Sequence, residues 1–455
     1  MPEFERRGRF DVSAADAYAW FSSAGSPERL IPPWVNGRVV ARDPVSDGSR
    51  LELELRWGPI ATRVLASHRG IDPGRGFVRE QLSGPLTRWT HEHGFVSQAE
   101  QSCIVEDSID YELPGGVLVE RAAQERAERW LRRLFEFRHG RVRRDLARHA
   151  QSRAAGPLRI AISGTSGLIG TQLAAFLESG GHSVLRLVRR RAAPGEIFWD
   201  PLRGDIDARA LEDLDAVMHL AGESVAAAPW NLARRRAILD SRIAGTELLA
   251  TTLAGLKRPP TVFLQGSAIG FYGETGEREV DESAPAGSGF LADVCRSWEA
   301  ASRPASQAGI RVVALRLGIV LSPRGGVLRR LVPTFLCGFG GRIGSGRQQL
   351  SWVSLDDVLG AFLHTLLEPG LVGPVNVVAP QSVSNGDFAR SLGRVLRRPT
   401  ALPLPAGLVE FALGDMGREM LLASQAVRAS RLQASGFAFQ FPNLDSALRF
   451  ELGRP

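Results

Sequence analysis

The first third of the chain alternates between apolar and polar residues. The run Leu51-Glu52-Leu53-Glu54-Leu55-Arg56-Trp57 alternates strictly, as a strand with one buried face does. A second alternating face is formed by Cys103, Val105, Ile109, Tyr111 and Leu113. Asp107 interrupts that face, and we expect its carboxylate to point inward. The same pattern predicts further strands around residues 35–42, 62–68, 77–82 and 89–96.

A long helical pattern near residues 117–148 follows these strands. Its apolar positions recur at helical spacing, at Ala123, Ala127, Trp130, Leu131, Leu134 and Phe137. Residues 121–148 also carry ten arginines against four acidic residues, and we expect these arginines to form the solvated face. Strands followed by one long helix favour a curved antiparallel sheet that grips the helix. We assign residues 1–150 to this α+β helix-grip domain.

From residue 158 the pattern changes to alternating strands and helices. Helices are predicted at 231–255 and 291–308, between strands at 158–163, 183–188, 215–220, 261–266, 311–317 and 374–378. This order predicts an α/β Rossmann fold with a doubly wound parallel sheet over residues 158–400. Residues 151–157 form the linker before it. Residues 401–455, where Leu402-Pro403-Leu404-Pro405 breaks the pattern, form a small C-terminal cap domain.

The composition argues against a membrane-spanning protein and against a nucleic-acid-binding protein. The chain is 44% hydrophobic and 23% charged, and no apolar run approaches the roughly 18 residues of a membrane span. The start of the chain has no apolar signal core, so we expect a cytoplasmic location. The net charge of +7 arises mostly from residues 121–148, without a nucleic-acid-binding motif, so no nucleic-acid partner is expected. Cys103, Cys295 and Cys337 lack the paired spacing of metal ligands or disulfides.

The turn Gly164-Thr165-Ser166-Gly167-Leu168-Ile169-Gly170 carries the clearest chemistry. It follows an apolar strand and opens a helix, which is the context that a dinucleotide pyrophosphate needs. Glycines there let the backbone turn tightly and approach the ligand. Arg189, Arg190 and Arg191 stand about 20 residues later, where NAD-preferring folds carry an acidic residue for the ribose 2′-hydroxyl. Guanidinium groups suit a 2′-phosphate, so the sequence predicts NADP(H) over NAD(H); the alternative is a solvated basic turn.

Residues 158–400 resemble the short-chain dehydrogenase/reductase superfamily, and within it the atypical, epimerase-like branch. The matching segments are Gly164-x-x-Gly167-x-x-Gly170, His219-Leu220-Ala221-Gly222-Glu223, Ser241-Arg242-Ile243-Ala244-Gly245-Thr246, Gly266-Ser267-Ala268-Ile269-Gly270-Phe271-Tyr272-Gly273, Arg316-Leu317-Gly318-Ile319-Val320 and Ser351-Trp352-Val353-Ser354-Leu355-Asp356-Asp357-Val358. The resemblance implies that the backbone of Leu220, Ala221 and Gly222 contacts the dinucleotide. Residues 402–452 are similar to the small C-terminal domain that often ends this branch.

Residues 1–150 look like the START-like helix-grip superfamily of polyketide cyclases and lipid-transfer proteins. The segment Gly84-Pro85-Leu86-Thr87-Arg88-Trp89-Thr90-His91-Glu92-His93 carries this likeness. It implies an apolar ligand in the N-terminal domain. His91 and His93 lie two residues apart and so share one face of a strand. No third metal ligand is evident beside them in the sequence, so we expect structural roles and no metal.

The superfamily's usual chemistry uses a tyrosine as acid and base, with a lysine four residues later. By resemblance that window falls on Phe290-Leu291-Ala292-Asp293-Val294, which contains neither residue. Ser267 stands where the superfamily keeps a serine that binds a substrate carbonyl or hydroxyl, and Tyr272 follows five residues later. We expect Ser267 to be a polar anchor and Tyr272 a proton donor. The alternative is that Ser267 caps a turn and Tyr272 packs against the nucleotide.

Two functions stay open at this point. The first is an NADP-dependent oxidoreductase or epimerase acting on a small or sugar-like substrate. The second is a catalytically reduced, cofactor-binding sensor whose N-terminal domain binds a hydrophobic ligand. The intact glycine turn supports both, the missing Tyr/Lys pair favours the second, and Ser267 and Tyr272 favour the first. The sequence leaves the substrate and the oligomeric state open.

Overall fold

The computed structural model describes residues 2–454, with side chains throughout except for Trp57 and residues 116–122. The chain divides into two compact units. The first comprises Met1–Gly156 with Ala175–His182, and the second comprises Pro157–Ala174 with Ser183–Pro455. In the described part of the chain, no helix combines the length and the hydropathy that crossing a membrane requires.

The first unit is built on a seven-stranded antiparallel sheet. Its strands are β1 (Glu3–Phe10), β2 (Gly37–Arg42), β3 (Arg50–Trp57), β4 (Ile60–Asp72), β5 (Gly76–Ser83), β6 (Arg88–Ala99) and β7 (Ser102–Glu112). They lie in the order β1-β7-β6-β5-β4-β3-β2. The predicted antiparallel sheet is therefore confirmed. Strand β1 was missed, because only Phe4 and Phe10 are large apolar residues in an otherwise charged segment.

Three helices accompany this sheet, namely α1 (Ala14–Ser22), α2 (Ser26–Leu30) and α3 (Gly116–Ser152). Apolar residues of α3 such as Leu131 and Phe135 pack with Ile109 of β7 in the core. The expectation that the arginines of this helix are all solvated was wrong. Arg141 is 2% exposed, and its guanidinium lies 4.8 Å from the centre of the Phe137 ring. A planar guanidinium can be buried where it packs on an aromatic face.

The strands of the second unit are β8 (Arg159–Ser163), β9 (Ser183–Val188), β10 (Glu196–Asp200), β11 (Asp205–Ile206), β12 (Ala216–His219), β13 (Val262–Ala268), β14 (Arg311–Leu317), β15 (Ile319–Leu321), β16 (Gln349–Leu350), β17 (Trp352–Ser354), β18 (Gly373–Val377) and β19 (Val383–Ser384). Eight of them form one sheet in the order β11-β10-β9-β8-β12-β13-β14-β18. Neighbours in this sheet are parallel except for the edge pair β10 and β11. The predicted parallel sheet is confirmed, with an antiparallel edge that the pattern did not reveal.

The helices of this unit are α4 (Leu168–Ser179), α5 (Leu232–Ala254), α6 (Phe290–Ala300), α7 (Arg303–Gln307), α8 (Gly326–Leu336), α9 (Leu355–Leu367), α10 (Asn385–Leu396), α11 (Ala406–Leu413), α12 (Asp415–Gly417), α13 (Ser430–Ala434) and α14 (Leu444–Leu452). The continuous helix predicted at 291–308 is in fact the two helices α6 and α7. Pro304 lies in the first turn of α7. Its ring nitrogen cannot donate a hydrogen bond, so α6 cannot continue through it.

The parallel strands bring the candidate residues to one edge of the sheet. Ser163 ends β8 and pairs in register with His219, which ends β12 and pairs with Gln265 of β13. The glycine turn follows β8, the arginines follow β9, and Ser267 lies near the end of β13. Ligands of open α/β sheets bind outside these carboxyl ends.

Candidate functional site

The glycine turn after β8 has no room for side chains at two of its positions. Gly164 has a φ of +75°, and a Cβ there would lie 2.8 Å from the backbone nitrogen of Ala221. A Cβ on Gly170 would lie 2.2 Å from the carbonyl oxygen of Gly164. Both contacts are closer than Cβ atoms tolerate, so the turn requires glycine at these places.

The rest of the turn lies open to a ligand. Gly167 donates its N–H to the carbonyl of Gly164 at 2.9 Å, and both Ser166 and Gly167 are exposed. Thr165 accepts from the Thr171 hydroxyl at 2.8 Å, while Leu168 and Ile169 begin α4 and are half-buried. A helix N-terminus that faces solvent through exposed small residues offers its free N–H groups to an anion.

Ser163 ties the first strand to the loop after β12. Its hydroxyl oxygen accepts the backbone N–H of Leu220 at 3.1 Å and of Ala221 at 3.2 Å, and donates its proton to Nδ1 of His219 at 2.6 Å. Burial, with a smaller effect of Arg242, lowers the pKa of His219 to about 3. His219 is therefore a neutral residue that positions this loop, whose last residue Gly222 is exposed. No residue pattern in the sequence indicates this role of Ser163.

The three arginines after β9 differ in their surroundings. Arg190 forms two hydrogen bonds with Glu196, in which Nη1 and Nη2 lie 2.7 and 2.5 Å from the carboxylate oxygens. Arg189 is exposed, and within residues 2–454 it has neither an ion pair nor a hydrogen-bond acceptor for its side chain. Arg191 is also exposed and, among the described side chains, has no partner for its guanidinium, so Arg189 and Arg191 are the groups available to a phosphate.

Ser267 belongs to a buried ion-pair network. Its hydroxyl donates to Oε1 of Glu299 at 2.7 Å. Nε and Nη2 of Arg316 bind the two oxygens of the same carboxylate, each at 2.8 Å. This paired geometry satisfies one carboxylate with one guanidinium.

Tyr272 completes the network. Its hydroxyl donates to Oδ1 of Asn376 at 2.8 Å and accepts from Nη1 of Arg316 at 2.8 Å. Burial raises the pKa of Tyr272, although Arg316 and Asn376 act in the opposite direction. Both Ser267 and Tyr272 are 3% exposed. Donation of the Tyr272 proton to a substrate requires exchange of its bond to Asn376, and the donor role stays a prediction.

A cavity of about 210 Å³ lies at the ends of β13 and β14. Ala268 and Gly270, one and three residues after Ser267, line it together with Cys295, Trp298 and Gln425. Burial, with a smaller effect of Glu299, raises the pKa of Cys295 to about 11. The group is thus a neutral thiol at neutral pH, as expected of a small core residue.

The C-terminal segment contributes Glu419 to the same cavity. Its carboxylate accepts the backbone N–H groups of Phe290 at 2.9 Å and Leu291 at 2.8 Å, at the start of α6. The ring of Phe290 packs on Trp230, with ring centres 4.9 Å apart. Val294 also lines the cavity. The positions of the superfamily's usual Tyr/Lys pair therefore present no proton-transfer group here.

A second polar cluster lies inside the first unit. One oxygen of Asp107 accepts from His91 at 2.8 Å and lies 2.9 Å from Nδ1 of His93, and the other accepts from His139 at 2.7 Å. All four side chains are buried. The expectation that Asp107 points inward is confirmed. The expectation that no third potential ligand accompanies His91 and His93 was wrong, because β6 and β7 pair with His93 opposite Asp107.

The charges in this cluster follow from burial and hydrogen bonding. Burial alone raises the pKa of Asp107, but the hydrogen bonds from His139, His91 and His93 hold it well below its usual value. Burial lowers the pKa of His91, and it lowers that of His93 to about 3 with a smaller effect of His91. Asp107 is therefore ionised, while His91 and His93 are neutral.

A cavity of about 520 Å³ lies in the same unit. Its wall is formed mostly by apolar side chains of the sheet and of α3. The polar residues of the wall are Arg79, Gln81, His91, Arg126 and Arg138.

Comparison with known proteins agrees with this architecture. Residues 160–378 match the NAD dependent epimerase/dehydratase family, and residues 404–451 match a domain of unknown function, DUF1731. An epimerase family protein of Mycobacterium tuberculosis is 44% identical over 297 residues, which are 65% of this chain and 98% of that protein.

Two solved structures extend the comparison. The crystal structure of human epimerase family protein SDR39U1 (isoform2) with NADPH is 34% identical, with a TM-score of 0.60 over 65% of this chain and 99% of that chain. A nucleoside-diphosphate sugar epimerase from Corynebacterium glutamicum is 30% identical, with a TM-score of 0.82 over 99% of this chain and 90% of that chain. From these matches, the chain belongs to the NAD dependent epimerase/dehydratase family.

Proposed function

We propose that this chain binds NADP(H) and acts as an oxidoreductase or epimerase on a small or sugar-like substrate. The observation that carries the proposal is a glycine cradle closed to side chains at Gly164 and Gly170, together with the unpaired Arg189 after the second strand of the fold. The human relative, whose structure contains NADPH, supports the cofactor. The Corynebacterium glutamicum relative, described as a nucleoside-diphosphate sugar epimerase, supports the substrate class.

Different residues of the chain bind the cofactor and the substrate in this proposal. N–H groups at the start of α4 hold the pyrophosphate over Ser166 and Gly167, and the loop from Leu220 to Gly222 borders the dinucleotide. Arg189 binds the 2′-phosphate. The bound nicotinamide supplies or accepts a hydride. Ser267 directly precedes Ala268 of the cavity wall, and its hydroxyl anchors the substrate by exchanging its bond to Glu299.

Tyr272 is the proton source in this proposal. It is connected to Ser267 through Arg316 and Glu299 by hydrogen bonds of 2.7 to 2.8 Å. The hydroxyl proton points to Asn376, and Arg316 has no lone pair with which to accept it, so Tyr272 delivers its proton only after exchanging its bond to Asn376, while Arg316 holds the hydroxyl oxygen in place. The absence of a lysine from the equivalent window makes this route differ from that usual in the superfamily.

The test uses two fragments that differ by one phosphate, 2′-phospho-ADP-ribose and ADP-ribose. We expect calorimetry to show the native chain binding the phosphorylated fragment about ten- to a hundredfold more tightly, as charge-assisted hydrogen bonds allow. Arg189→Gln should abolish that preference. Arg190→Gln, the matched control, should retain it because Glu196 already holds Arg190. Equal affinities in the native chain, or loss of preference in Arg190→Gln alone, would contradict the assignment.

We also propose that the first unit is a START-like helix-grip domain that binds an apolar ligand. Its support is the antiparallel sheet with the long C-terminal helix α3 and the mostly apolar cavity of about 520 Å³. A cavity of this size suits a drug-sized molecule. Calorimetric titration of the full chain with decan-1-ol should show saturable binding, and heats equal to those of dilution would contradict the proposal.

The sensor function is the second candidate. The hydrogen bonds of Tyr272 to Asn376 and Arg316 favour the sensor function, because they occupy the hydroxyl that a catalyst would use as its proton donor. NMR of UDP-glucose and UDP-glucuronic acid, incubated with the chain and NADP(H), separates the two functions. Conversion that Tyr272→Phe abolishes supports the enzyme, whereas tight NADPH binding without conversion supports the sensor.

A further inference from the structure

Three arginines line the mostly apolar cavity of the first unit; Arg126 is exposed, whereas Arg79 and Arg138 are half-buried. Arg79 comes from β5 and Arg138 from α3. The Nε–H of each arginine donates a hydrogen bond within the protein. That of Arg79 donates to Nε2 of His68 at 3.2 Å, and that of Arg138 donates to the carbonyl of Leu30 at 3.2 Å. Within the described side chains, the terminal amino nitrogens of both guanidinium groups have no acceptor.

The two arginines are close enough to each other and to Asp107 to affect one another. Burial lowers the pKa of Arg79 to about 10, with a further lowering by Arg138 and an opposing effect of Asp107. Burial also lowers the pKa of Arg138 to about 10, again opposed by Asp107. Both guanidinium groups are therefore charged at neutral pH.

The charge at this wall is unbalanced. Two guanidinium groups face one carboxylate, and both oxygens of Asp107 already accept hydrogen bonds from histidines. His68 and His93 are neutral, because burial chiefly lowers their pKa values to about 4 and about 3. Burial likewise lowers the pKa of His91. With Arg126 as a third, exposed guanidinium group, the wall holds more positive charge than Asp107 balances.

Apart from Gln81, His91 and the three arginines, the residues that line the cavity present aliphatic and aromatic surface. It includes Leu51, Leu53, Val64, Ala66, Trp89 and Leu134. An apolar wall binds an apolar body through burial of surface, while a few polar groups fix its orientation. An uncompensated buried charge is costly, and an anion brought by the ligand offsets that cost.

We propose that this cavity binds an apolar molecule with a single anionic head group, a carboxylate or similar oxyanion, held by Arg79 and Arg138. The proposal rests on the START-like function proposed above and adds the charge of the ligand. Planar guanidinium groups with free terminal nitrogens match a carboxylate in geometry as well as charge. The apolar body lies along the surface formed by the sheet and α3.

A metal ion is the competing occupant of the neighbouring cluster. Ligand atoms of His91, His93 and Asp107 lie within 4.8 Å of one another. A divalent cation would add two positive charges beside two guanidinium groups that are already in excess, which electrostatic repulsion in a buried site disfavours. The same charges favour an anion.

The experiment compares three ligands with the same ten-carbon chain. The full chain is titrated calorimetrically at pH 7.5 with decanoate, decan-1-ol and decyltrimethylammonium, each below its micelle concentration. We expect decanoate to bind about tenfold more tightly than decan-1-ol, which corresponds to about 1.4 kcal/mol, and the ammonium compound to bind most weakly. Arg79→Gln and Arg138→Gln should each remove the decanoate advantage and leave decan-1-ol unchanged. Arg129→Gln, an exposed position on the same helix, is the control and should change neither.

The outcomes separate the two proposals about this unit. If decan-1-ol binds and decanoate has no advantage, the head-group assignment is overturned while the apolar-ligand proposal stands. If none of the three ligands binds, both proposals fail. Stoichiometric zinc in the purified protein that is lost in His91→Ala would overturn the charge argument in favour of a metal centre.

Discussion

The network around Glu299 in the second unit and the network around Asp107 in the first unit are built differently. In the second unit, Arg316 binds both oxygens of Glu299, and its remaining amino group reaches Tyr272. Positive and negative charges there are equal. In the first unit, Asp107 is surrounded by histidines, while Arg79 and Arg138 line a cavity and, among the described side chains, have no acceptor for their terminal nitrogens.

The difference separates a scaffold from a binding site. A charge-balanced network with its hydrogen bonds made holds strands in place and gains little from a ligand. A network with excess charge and open donors is stabilised when a ligand of opposite charge arrives. In the functions proposed above, the Arg316 network positions the wall of the substrate cavity, whereas Arg79 and Arg138 bind the ligand themselves.

The largest expected effect is on stability. Arg316→Met leaves the Glu299 carboxylate buried without its partner and should lower the free energy of unfolding of the second unit by about 3–5 kcal/mol. Arg79→Met removes an excess charge and should change the free energy of unfolding of the first unit by less than about 1 kcal/mol. Hydrogen–deuterium exchange of peptides from β13 and from β6 in the two variants measures these effects separately.

A double variant controls the first of these measurements. Adding Glu299→Leu to Arg316→Met removes the orphaned carboxylate and should restore most of the lost stability. If Arg79→Met destabilises its unit as much as Arg316→Met destabilises the other, the distinction between balanced and unbalanced networks is wrong.

The second expected effect is a loss of folding stability at acidic pH. Burial chiefly lowers the pKa values of His68 and His93 in the first unit to about 4 and about 3, and that of His219 in the second to about 3. The unfolded chain therefore takes up protons before the folded chain as pH falls below 6.5, so stability is lost over that interval. At pH 5 each such histidine lowers the free energy of unfolding by about 2 kcal/mol relative to neutral pH.

The first unit should consequently lose more stability than the second between pH 7 and pH 5. Hydrogen–deuterium exchange, corrected for the intrinsic pH dependence of the reaction, gives the loss for β6 and β12 in the same sample. His93→Asn should reduce the loss in β6 and leave β12 as it was. Equal losses in β6 and β12 would show that buried histidines do not set the acid response.

The smallest expected effect separates the two roles of Tyr272. Tyr272→Phe removes a hydroxyl that bonds Asn376 and Arg316, and should cost about 1–3 kcal/mol of stability because buried polar atoms lose their partner. Urea unfolding measures this cost. Unchanged stability would mean that water replaces the hydroxyl and that Tyr272 is not part of a closed network.

The sequence predicted those features that are local along the chain. Alternation predicted β3, and the glycine turn after β8 could be located because its seven residues are contiguous. The arginines after β9 were found for the same reason. What the sequence could not distinguish was Arg189 from Arg190, since the difference lies in the ion pair that Glu196 makes with only one of the two.

Features made by distant residues were missed. Asp107 meets His91 and His93 through the register of β6 and β7, and it meets His139 through the packing of α3. Glu419 reaches the start of α6 across 129 residues of sequence. Neither contact has a signature in residue spacing, because each depends on which elements the tertiary fold brings together.

The central claim is that the turn at Gly167 and the guanidinium of Arg189 together hold NADP(H). The most direct measurement is calorimetric titration of the ligand-free native chain with NADPH and with NADH under identical conditions. The account predicts saturable binding of NADPH that is about ten- to a hundredfold tighter than that of NADH. Absence of binding heat for either cofactor, or tighter binding of NADH, would contradict it.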